Sequence, residues 1–509
     1  MSGRFGPAIA VVIVLSFVLD IMVKPQAPLR RTARSSALHI LSVTWIAVLV
    51  LAVTSRPIFA AFVALALVGL VVAISNAKYE SLREPFVFTD LSLFSQLFSH
   101  PRLYLPFLSI GKVVAIVVGV MLVIGGFAAE PAVARSSTWL LLLLLVVLFL
   151  AVRMLAAGLP LSLDPCVDQA RHGFFAVFVA YLMNGLRSAT FAILQRAMVA
   201  SPFGAGRPQR RTDVIVIQSE SFFDIRRVCD AVDSSGFVQL DRARREAVHY
   251  GELTVPAWGA NTMRTEFAVL AGIPSAALGY AQFYPYAFVR RACISLARWF
   301  ARAGYATLAI HPYYADFFGR NRVFPLLGFE QFLDIGHFKD AARAGPYVAD
   351  AAVAEAVIST LNAQGDRPRF VFAMTMENHG PLHLEQVLPG ESSSRHTLGE
   401  DASWRDLTAY LRHIENADAM IGRLLDHLRA SDRETVVCFY GDHVPALPHV
   451  FQKLGVTPQR SDYFIWRNYG TDTPERRNLA AEELGSVLLD VVKDDGNRAE
   501  EPHASEKAT

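Results

Sequence analysis

The sequence predicts two architectures in one chain: an N-terminal α-helical transmembrane bundle of about five spans, and a C-terminal α/β domain whose mainly parallel sheet is covered by helices. The 509 residues are 53% hydrophobic and have a mean hydropathy of +0.32, which is high for a soluble protein. Long apolar segments are concentrated in the first 160 residues. From Asp213 onward, short apolar runs alternate with helical patterns, which indicates a parallel sheet between helices.

Five apolar segments approach or reach the roughly 20 residues needed to cross a bilayer. They are residues 7–23, 37–55, 57–75, 107–129 and 138–157. No small-residue cleavage site follows the first segment, so we interpret it as a retained anchor and not as a signal peptide. The transmembrane helical domain is therefore predicted to cover residues 1–160.

Residues 161–212 are interpreted as an interfacial helix followed by a linker. The apolar stretch 173–194 is interrupted by Asn184 and Arg187, which favours an amphipathic helix at the membrane surface over a sixth span. Residues 197–212 are small, basic and contain prolines, as linkers do. At the other end of the chain, the tail 493–509 is charged and aperiodic, so it is predicted to be disordered.

Basic residues in two loops bear on the orientation of the chain. They follow the first and third spans: Lys24, Arg30, Arg31 and Arg34, then Lys78, Arg83 and Arg102. The positive-inside rule places both loops in the cytoplasm, and with five spans the C-terminal domain would be cytoplasmic too. A sixth span through residues 173–194 would export it instead.

Residue types that bind metals or phosphate follow several predicted strands of the C-terminal domain. One apolar run ends at Glu220, another leads into Asp442 and His443, and His311 and His379 follow two more. Because the carboxyl ends of parallel strands meet at one edge of a sheet, these side chains are expected to converge.

A glycine-containing turn from Trp258 to Thr262 presents a hydroxyl at the start of a helical pattern, where backbone N–H groups favour an anion. Taken alone, Thr262 is an ordinary helix N-cap and Glu220 a capping carboxylate. Together with Asp442 and His443 they favour a divalent metal beside a nucleophile. Such a ligand set suits Mn²⁺, Mg²⁺ or Zn²⁺ better than copper.

Five motifs occur in a fixed order along residues 213–450. They are Glu220-Ser221, the turn Thr262 to Phe267, His311 followed by Phe318-Gly-Arg320, Asn378-His379-Gly-Pro, and Gly441-Asp442-His443. In this order they resemble the sulfatase-like, alkaline-phosphatase-superfamily domain of the lipoteichoic acid synthase and membrane-oligosaccharide phosphoglycerol transferase family. That family also carries five spans before the domain, so the resemblance covers most of the chain and implies a sulfatase-like catalytic domain over residues 213–492.

Carried over by residue, the resemblance implies a divalent metal, typically manganese, at Glu220, Thr262, Asp442 and His443. Thr262 is then the nucleophile. Arg264 stands where lipoteichoic acid synthases tend to carry an acidic residue, a departure that bears on head-group or acceptor preference and not on the metal site.

The resemblance also implies a phosphoglycerol pocket lined by His311, Phe318, Arg320 and His379, with Phe318 where family members often have Trp. Arg320 would offer a bidentate fork to the phosphate, and His379 or His311 would protonate the leaving alkoxide. The plainer interpretations are a surface arginine and two core histidines.

The function implied is that of a membrane-bound phosphoglycerol transferase in the bacterial inner membrane. It would move glycerophosphoryl groups from phosphatidylglycerol, through a phospho-threonine, to a periplasmic glucan or polyglycerolphosphate. The family's catalytic domain faces outward, against the loop charges. The alternatives are a phosphoethanolamine transferase, another metal-dependent phosphodiesterase or sulfatase-like hydrolase, and a non-catalytic glycan- or lipid-binding membrane protein. A net charge of +2 argues against a nucleic-acid partner.

Overall fold

The computed structural model describes residues 5–92, 99–101, 110–133, 138–206, 208, 211–471 and 473–493. The chain forms two compact units, which we call the helical unit (Met1–Ala192 with Gly279–Phe283) and the sheet unit (Ile193–Leu278 with Tyr284–Thr509). Apart from Lys493, the tail predicted to be disordered lies outside the described residues.

All five predicted spans contain helix. The N-terminal helices are α1 (Phe5–Ile21), α2 (Ala33–Thr54), α3 (Pro57–Leu82), α4 (Ile110–Ala129), α5 (Thr138–Ala157), α6 (Pro165–His172), α7 (Phe174–Gly185) and α8 (Ser188–Val199). Only two residues separate α2 from α3. The first of them, Ser55, takes a left-handed conformation (φ 57°) that ends α2 and allows the tight turn.

Three of these helices, α2, α3 and α5, are long and apolar enough to cross a membrane. The pair α7 and α8 adds a fourth candidate if the two form one span across their 70° bend. Among the described residues, α1 and the stretch Val113–Ala129 of α4 are shorter apolar helices. By length and composition, three or four spans are supported among the described residues, and a count of five stays a prediction.

Two basic residues that entered the orientation argument are paired with acids in the helical unit. Arg31 Nη1 lies 2.6 Å from Asp20 Oδ2, and both side chains are almost fully buried. Lys78 Nζ lies 2.7 Å from Asp90 Oδ2. An acidic partner cancels the charge of each of these residues. A simple count of lysines and arginines therefore overstates the net positive charge of these loops.

The sheet unit is built on one large sheet. Its strands are β1 (Asp213–Ser219), β2 (His249–Thr254), β3 (Ala306–Ile310), β4 (Gln331–Leu333), β7 (Arg369–Met374), β8 (Thr435–Gly441), β9 (Arg460–Arg467), β10 (Glu475–Arg476) and β11 (Leu479–Ala480). They run in the order β10-β2-β9-β8-β1-β7-β3-β4, with β11 beside β2. A separate two-stranded ribbon joins β5 (Arg343–Ala344) to β6 (Tyr347–Val348).

Helices complete the sheet unit. They are α9 (Val238–Glu246), α10 (Thr262–Ala271), α11 (Pro285–Phe288), α12 (Leu296–Arg302), α13 (Arg320–Leu327), α14 (Asp350–Asn362), α15 (Arg405–Arg429), α16 (Pro448–Leu454) and α17 (Ala481–Lys493). The longest, α15, buries the apolar stripe that its helical spacing predicted, including Leu411, Ile414 and Ile421.

The sheet is mixed but mainly parallel, as predicted. Strands β8, β1, β7, β3 and β4 run parallel to one another, whereas β9 is antiparallel to both β8 and β2. The register pairs Ser219 with Gly441 and Gln218 with Met374. The carboxyl ends of β1, β7 and β8 are therefore level, and the residues that follow them meet at one edge.

Gly441 is required by close packing at that edge. A Cβ added to it would lie 1.9 Å from the carbonyl oxygen of Phe222 and 2.9 Å from that carbonyl's carbon, so backbone would have to move. Glycine is thus the residue that lets β8 pass the loop after β1, with Asp442 following immediately.

We expect Gly441→Ala to lower the free energy of unfolding by about 3 kcal/mol, since the clash is with backbone and not with a flexible side chain. Thermal unfolding of the detergent-solubilised chain measures the effect. Gly204→Ala is the matched control, because no atom lies within 4 Å of its added Cβ. A Gly441→Ala protein that melts with the wild type would contradict this packing argument.

Candidate metal and phosphate site

Glu220, Asp442 and His443 form a buried cluster whose ligand atoms lie within 4.8 Å of one another. Because these atoms could hold a metal ion, we call the three residues the metal group. His443 Nε2 is 3.5 Å from Glu220 Oε1 and 3.4 Å from Asp442 Oδ2. Each residue follows a strand end, so the level register of β1 and β8 brings the group together. These are three of the four predicted metal ligands.

The chemistry of the three residues fits a divalent cation. Asp442 Oδ2 and His443 Nε2 are buried and have no hydrogen-bond partner. Burial, and next the charge of Asp442, raise the pKa of Glu220 to about 8, because two buried carboxylates repel one another. A bound cation would satisfy the unpartnered atoms and the repulsion together. Carboxylate and imidazole ligands suit Mn²⁺, Mg²⁺ and Zn²⁺ alike, so the donor set does not select among them.

The loop after β1 orients this group. Ser221 adopts a left-handed backbone conformation (φ 52°), and its N–H donates to Asp442 Oδ1 at 2.7 Å. Its hydroxyl donates to Glu220 Oε1 at 3.1 Å. Tyr410, on α15, donates its hydroxyl to the carbonyl oxygens of Ser221 and Phe223 at 2.9 and 3.1 Å. Sequence reasoning missed this support by Tyr410, since nothing in the local pattern links α15 to the loop.

Thr262 lies beside the metal group as predicted. It begins α10, after Asn261 in a left-handed conformation (φ 65°), and its Oγ1 is 3.4 Å from Glu220 Oε2. Thr265, one turn further along, donates its hydroxyl to the carbonyl oxygen of Asp442 at 2.7 Å. The helix that carries the predicted nucleophile is thereby bound to the strand end that carries two metal ligands.

Arg320 and His311 are in direct contact. Arg320 is 1% exposed, and its Nη1 donates to His311 Nε2 at 3.1 Å. Because that nitrogen accepts, the neutral ring carries its hydrogen on Nδ1, which is buried without a partner. Burial, and next the charge of Arg320, lower the pKa of His311 well below its usual value, so the ring is neutral.

The guanidinium fork predicted to bind phosphate is occupied by Glu266. Arg320 Nη2 lies 2.8 Å from Glu266 Oε2, and Nε lies 3.1 Å from Oε1. Glu266 also accepts from Tyr286 at 2.5 Å and from Gln218 at 3.2 Å. Glu266 thereby fixes Arg320, which contacts His311.

Phe318 and His379 complete the predicted pocket residues. Phe318 has a left-handed backbone (φ 57°), and the Arg320 guanidinium carbon lies 5.3 Å from its ring centroid. His379 Nδ1 donates to the carbonyl oxygen of Gly380 at 2.7 Å, which leaves Nε2 as the proton-exchanging atom. Burial lowers the pKa of His379, so at neutral pH the ring is neutral and its Nε2 is a hydrogen-bond acceptor. The nearby negative charge of Asp442 opposes this shift and raises the pKa of His379, so the ring lies within electrostatic reach of the metal group.

Comparison with known proteins identifies the family. The sulfatase family model matches residues 212–492, more than half of the chain. The chain belongs to the sulfatase family. Two relatives come from Rhizobium meliloti. The capsular polysaccharide biosynthesis protein RkpI is 31% identical over 81% of this chain and 78% of its own length. A putative cyclic beta-1,2-glucan modification protein is 28% identical over 58% of this chain and 46% of its own length.

A solved membrane-protein structure shares the fold over nearly the whole chain. The lipooligosaccharide phosphoethanolamine transferase EptA of Neisseria meningitidis matches with a TM-score of 0.57 at 14% identity, over 96% of both chains. The phosphoglycerol transferase GacH of Streptococcus pyogenes matches with a TM-score of 0.47 at 21% identity, over 60% of this chain and 80% of that one. The predicted sulfatase-like domain is confirmed: the protein is a sulfatase-family member with apolar N-terminal helices.

The metal group predicts that the purified protein retains a single divalent ion per chain, and that Asp442→Asn weakens its affinity at least about tenfold. Elemental analysis after gel filtration, followed by titration of the stripped protein, measures this. Glu415→Gln is the control, since that residue pairs with Arg395 and contacts none of the candidate ligands. Equal metal content in the wild type and Asp442→Asn would rule the group out as the binding site.

Glu266→Gln is expected to destabilise the sheet unit by about 3–5 kcal/mol, because it leaves the buried Arg320 charge without its counter-charge. The exposed pair Arg367–Glu330, with side chains 50% and 44% exposed, supplies the control. Glu330→Gln should change the free energy of unfolding by less than about 1 kcal/mol. Chemical denaturation measures the free energy of unfolding of both variants. Equal losses would contradict the larger contribution assigned to the buried Glu266–Arg320 pair.

Proposed function

We propose that this sulfatase-family protein is a membrane-bound phosphoglycerol transferase. It would move glycerophosphoryl groups from phosphatidylglycerol to an extracytoplasmic glycan. One observation carries the proposal: the Thr262 hydroxyl lies 3.4 Å from Glu220, beside a buried group fitted for a divalent cation. A hydroxyl at that place is the arrangement that nucleophilic phosphoryl transfer needs.

Glu220, Asp442 and His443 would hold the ion, with Thr262 Oγ1 as a fourth ligand. An ion there, of the Mn²⁺ class, supplies positive charge to the phosphoryl oxygens and makes the threonine hydroxyl more acidic. Glu220 Oε2 accepts the Thr262 hydrogen bond and so orients Oγ1. The N-terminus of α10 contributes backbone N–H groups that favour the phosphate's negative charge.

The proposed reaction has two transfers. In the first, Thr262 Oγ1 bonds to phosphorus and the bond to the diacylglycerol oxygen breaks. The proton lost by Thr262 has to reach that leaving oxygen, and Nε2 of neutral His379 is the atom proposed to carry it. In the second transfer an acceptor hydroxyl bonds to phosphorus, the bond to Thr262 breaks, and the acceptor's proton returns to Thr262 by the same route.

His311 is proposed to recognise the phosphoglycerol group. Its Nδ1–H is a buried donor without a partner, and such a donor is costly unless a ligand accepts from it. Arg320 fixes the ring through Nη1 and adds positive charge, while Phe318 packs against the guanidinium. Arg320 is thus assigned to orienting His311, in place of the free bidentate fork expected from the sequence.

A surface glycan is the proposed acceptor. The names of two relatives support this: one concerns capsular polysaccharide, the other cyclic glucan modification. A polyglycerolphosphate chain is the alternative acceptor. The apolar helices support a multi-pass membrane protein. We place it in the bacterial inner membrane with its catalytic domain extracytoplasmic, because such acceptors are found there.

Purified protein with Mn²⁺ and fluorescent phosphatidylglycerol should release labelled diacylglycerol. Thr262→Ala should reduce the rate at least about a hundredfold, because it removes the attacking atom. Thr262→Ser keeps a hydroxyl and should retain part of the activity. Thr360→Ala, whose hydroxyl only caps a carbonyl within α14, should match the wild type.

No diacylglycerol from folded, metal-loaded protein would overturn the phosphatidylglycerol assignment. Parallel reactions then decide between the other classes. Release of diacylglycerol from phosphatidylethanolamine would indicate a phosphoethanolamine transferase, and hydrolysis of an aryl sulfate or of a phosphodiester would indicate a hydrolase. Inactivity on all of them, with glycan binding retained, would indicate a binding protein.

A further inference from the structure

A buried imidazole is held between two carboxylates of the loop that carries His379. The side chain of His413, on α15, is 1% exposed. Its Nδ1 lies 3.0 Å from Glu377 Oε1, and its Nε2 lies 2.8 and 2.9 Å from the two oxygens of Glu385. An ionised carboxylate only accepts hydrogen bonds, so both ring nitrogens carry hydrogen and the ring is an imidazolium.

The two carboxylates come from one loop. Glu377 and Glu385 lie on either side of His379 in the segment that follows β7. By contacting both, His413 closes that segment into a ring, and we call these three residues the His413 staple. The same segment starts at Thr375, whose Oγ1 accepts from the backbone N–H of Glu220 at 3.1 Å. The stapled loop therefore joins the metal group at one end.

The charges around the staple favour a positive ring, since Arg412, the cation beside Glu385, is shared with Glu391, whose Oε1 lies 2.7 Å from Arg412 Nε. Arg412 Nη1 donates to Glu385 Oε2 at 3.1 Å, and Asn416 donates to Glu377 Oε1 at 2.5 Å. From α14, the backbone N–H of Asp350 donates to Glu377 Oε2 at 2.7 Å. Burial, and next the charge of Glu377, raise the pKa of the Asp350 carboxyl well above its usual value, so that group stays neutral. Two carboxylates then face Arg412 and the imidazolium.

The protonated state of the ring depends on pH in a defined direction. Burial opposes the charge, but hydrogen bonds to Glu377 and Glu385 outweigh it and raise the pKa of His413 from 6.5 to about 9. Because the folded-state pKa lies above the unfolded one, the staple contributes its full stability below about pH 6.5. That contribution is lost as pH rises through about 9.

We propose that His413 is a positioning residue for His379. The charged ring of His413 holds the loop from Glu377 to Glu385 in the shape that presents His379 to the reacting phosphate. The inference rests on the proposed function. When His413 loses a proton, one ring nitrogen presents a lone pair to a carboxylate in place of an N–H. That hydrogen bond is lost, and the loop is released. The transfer rate should therefore fall in alkaline solution through a residue that never touches substrate.

Glu385→Gln is the decisive variant. A side-chain amide can donate to a neutral Nε2, so both contacts of the ring survive without its positive charge. We expect its kcat at pH 7 to stay within about threefold of the wild type and the alkaline fall near pH 9 to disappear. His413→Gln should lower kcat about ten- to a hundredfold with little change in KM, because the loop loses its cross-link. Arg395→Gln, in the neighbouring ion pairs with Glu391 and Glu415, is the matched control and should keep the wild-type profile.

Two measurements on the full-length protein need no substrate. NMR titration of ¹³C-labelled histidine should show His413 with a pKa near 9 in the wild type and a lower pKa in Glu385→Gln, because one of its two carboxylate neighbours becomes neutral. Hydrogen exchange over residues 377–386 should accelerate as the wild-type ring deprotonates. If His413→Gln does not fold, Glu385→Gln and the titration still decide.

The outcomes separate the two proposals. A wild-type alkaline profile retained in Glu385→Gln, or a His413 pKa below 7 in the wild type, would overturn the staple even if phosphatidylglycerol is the donor. A high His413 pKa with pH-dependent exchange, in a protein that shows no phosphoglycerol transfer, would support the staple and overturn the donor assignment alone.

Discussion

Two carboxylates without a counter-charge are forced together at the edge of the sheet, and much of the catalytic architecture follows from this constraint. Glu220 and Asp442 follow neighbouring parallel strands whose ends are level, so the register of β1 and β8 places the two carboxylates side by side. Two carboxylates in a poorly solvated site cannot both ionise cheaply. Either a proton or a cation must be present, and the imidazole of His443 and the hydroxyl of Thr262 beside them make a cation the better fit.

Buried carboxylates elsewhere in the sheet unit make the contrast clear. Glu266 is matched by Arg320, and Asp213 by Arg433. Asp462 is matched by Arg227 and Arg244, in a cluster that fixes the loop after β1. In each case an arginine supplies both the charge and the hydrogen bonds that a desolvated carboxylate needs. The fold thus neutralises these three buried acids with arginines, in contrast to the contact between carboxylates at Glu220 and Asp442.

Much of this site could be predicted from the sequence because its residues follow strand ends, and strand ends carry a local signal. Glu220, Asp442 and His443 each follow an apolar run, and Thr262 opens a helical pattern, so parallel pairing alone brings them together. The contacts of Glu266 and Tyr410 carry no such signal, since their partners are distant in the sequence and depend on how helices cross the sheet. For the same reason Arg320 was interpreted as a free fork. A count of five spans stays a prediction, because hydropathy measures composition and not where a helix ends.

Three histidines around the candidate site show that burial alone does not decide protonation. His311 is neutral because burial and the charge of Arg320 both oppose protonation, and His379 is neutral because burial outweighs its hydrogen bond to Gly380 and the charge of Asp442. The comparably buried ring of His413 lies between two carboxylates and is charged. Neighbours therefore divide the tasks: a neutral ring can move a proton in either direction near neutral pH, whereas a ring with a high pKa cannot. Such a ring serves as a fixed positive charge, and placing it on a different element keeps structural support separate from proton transfer.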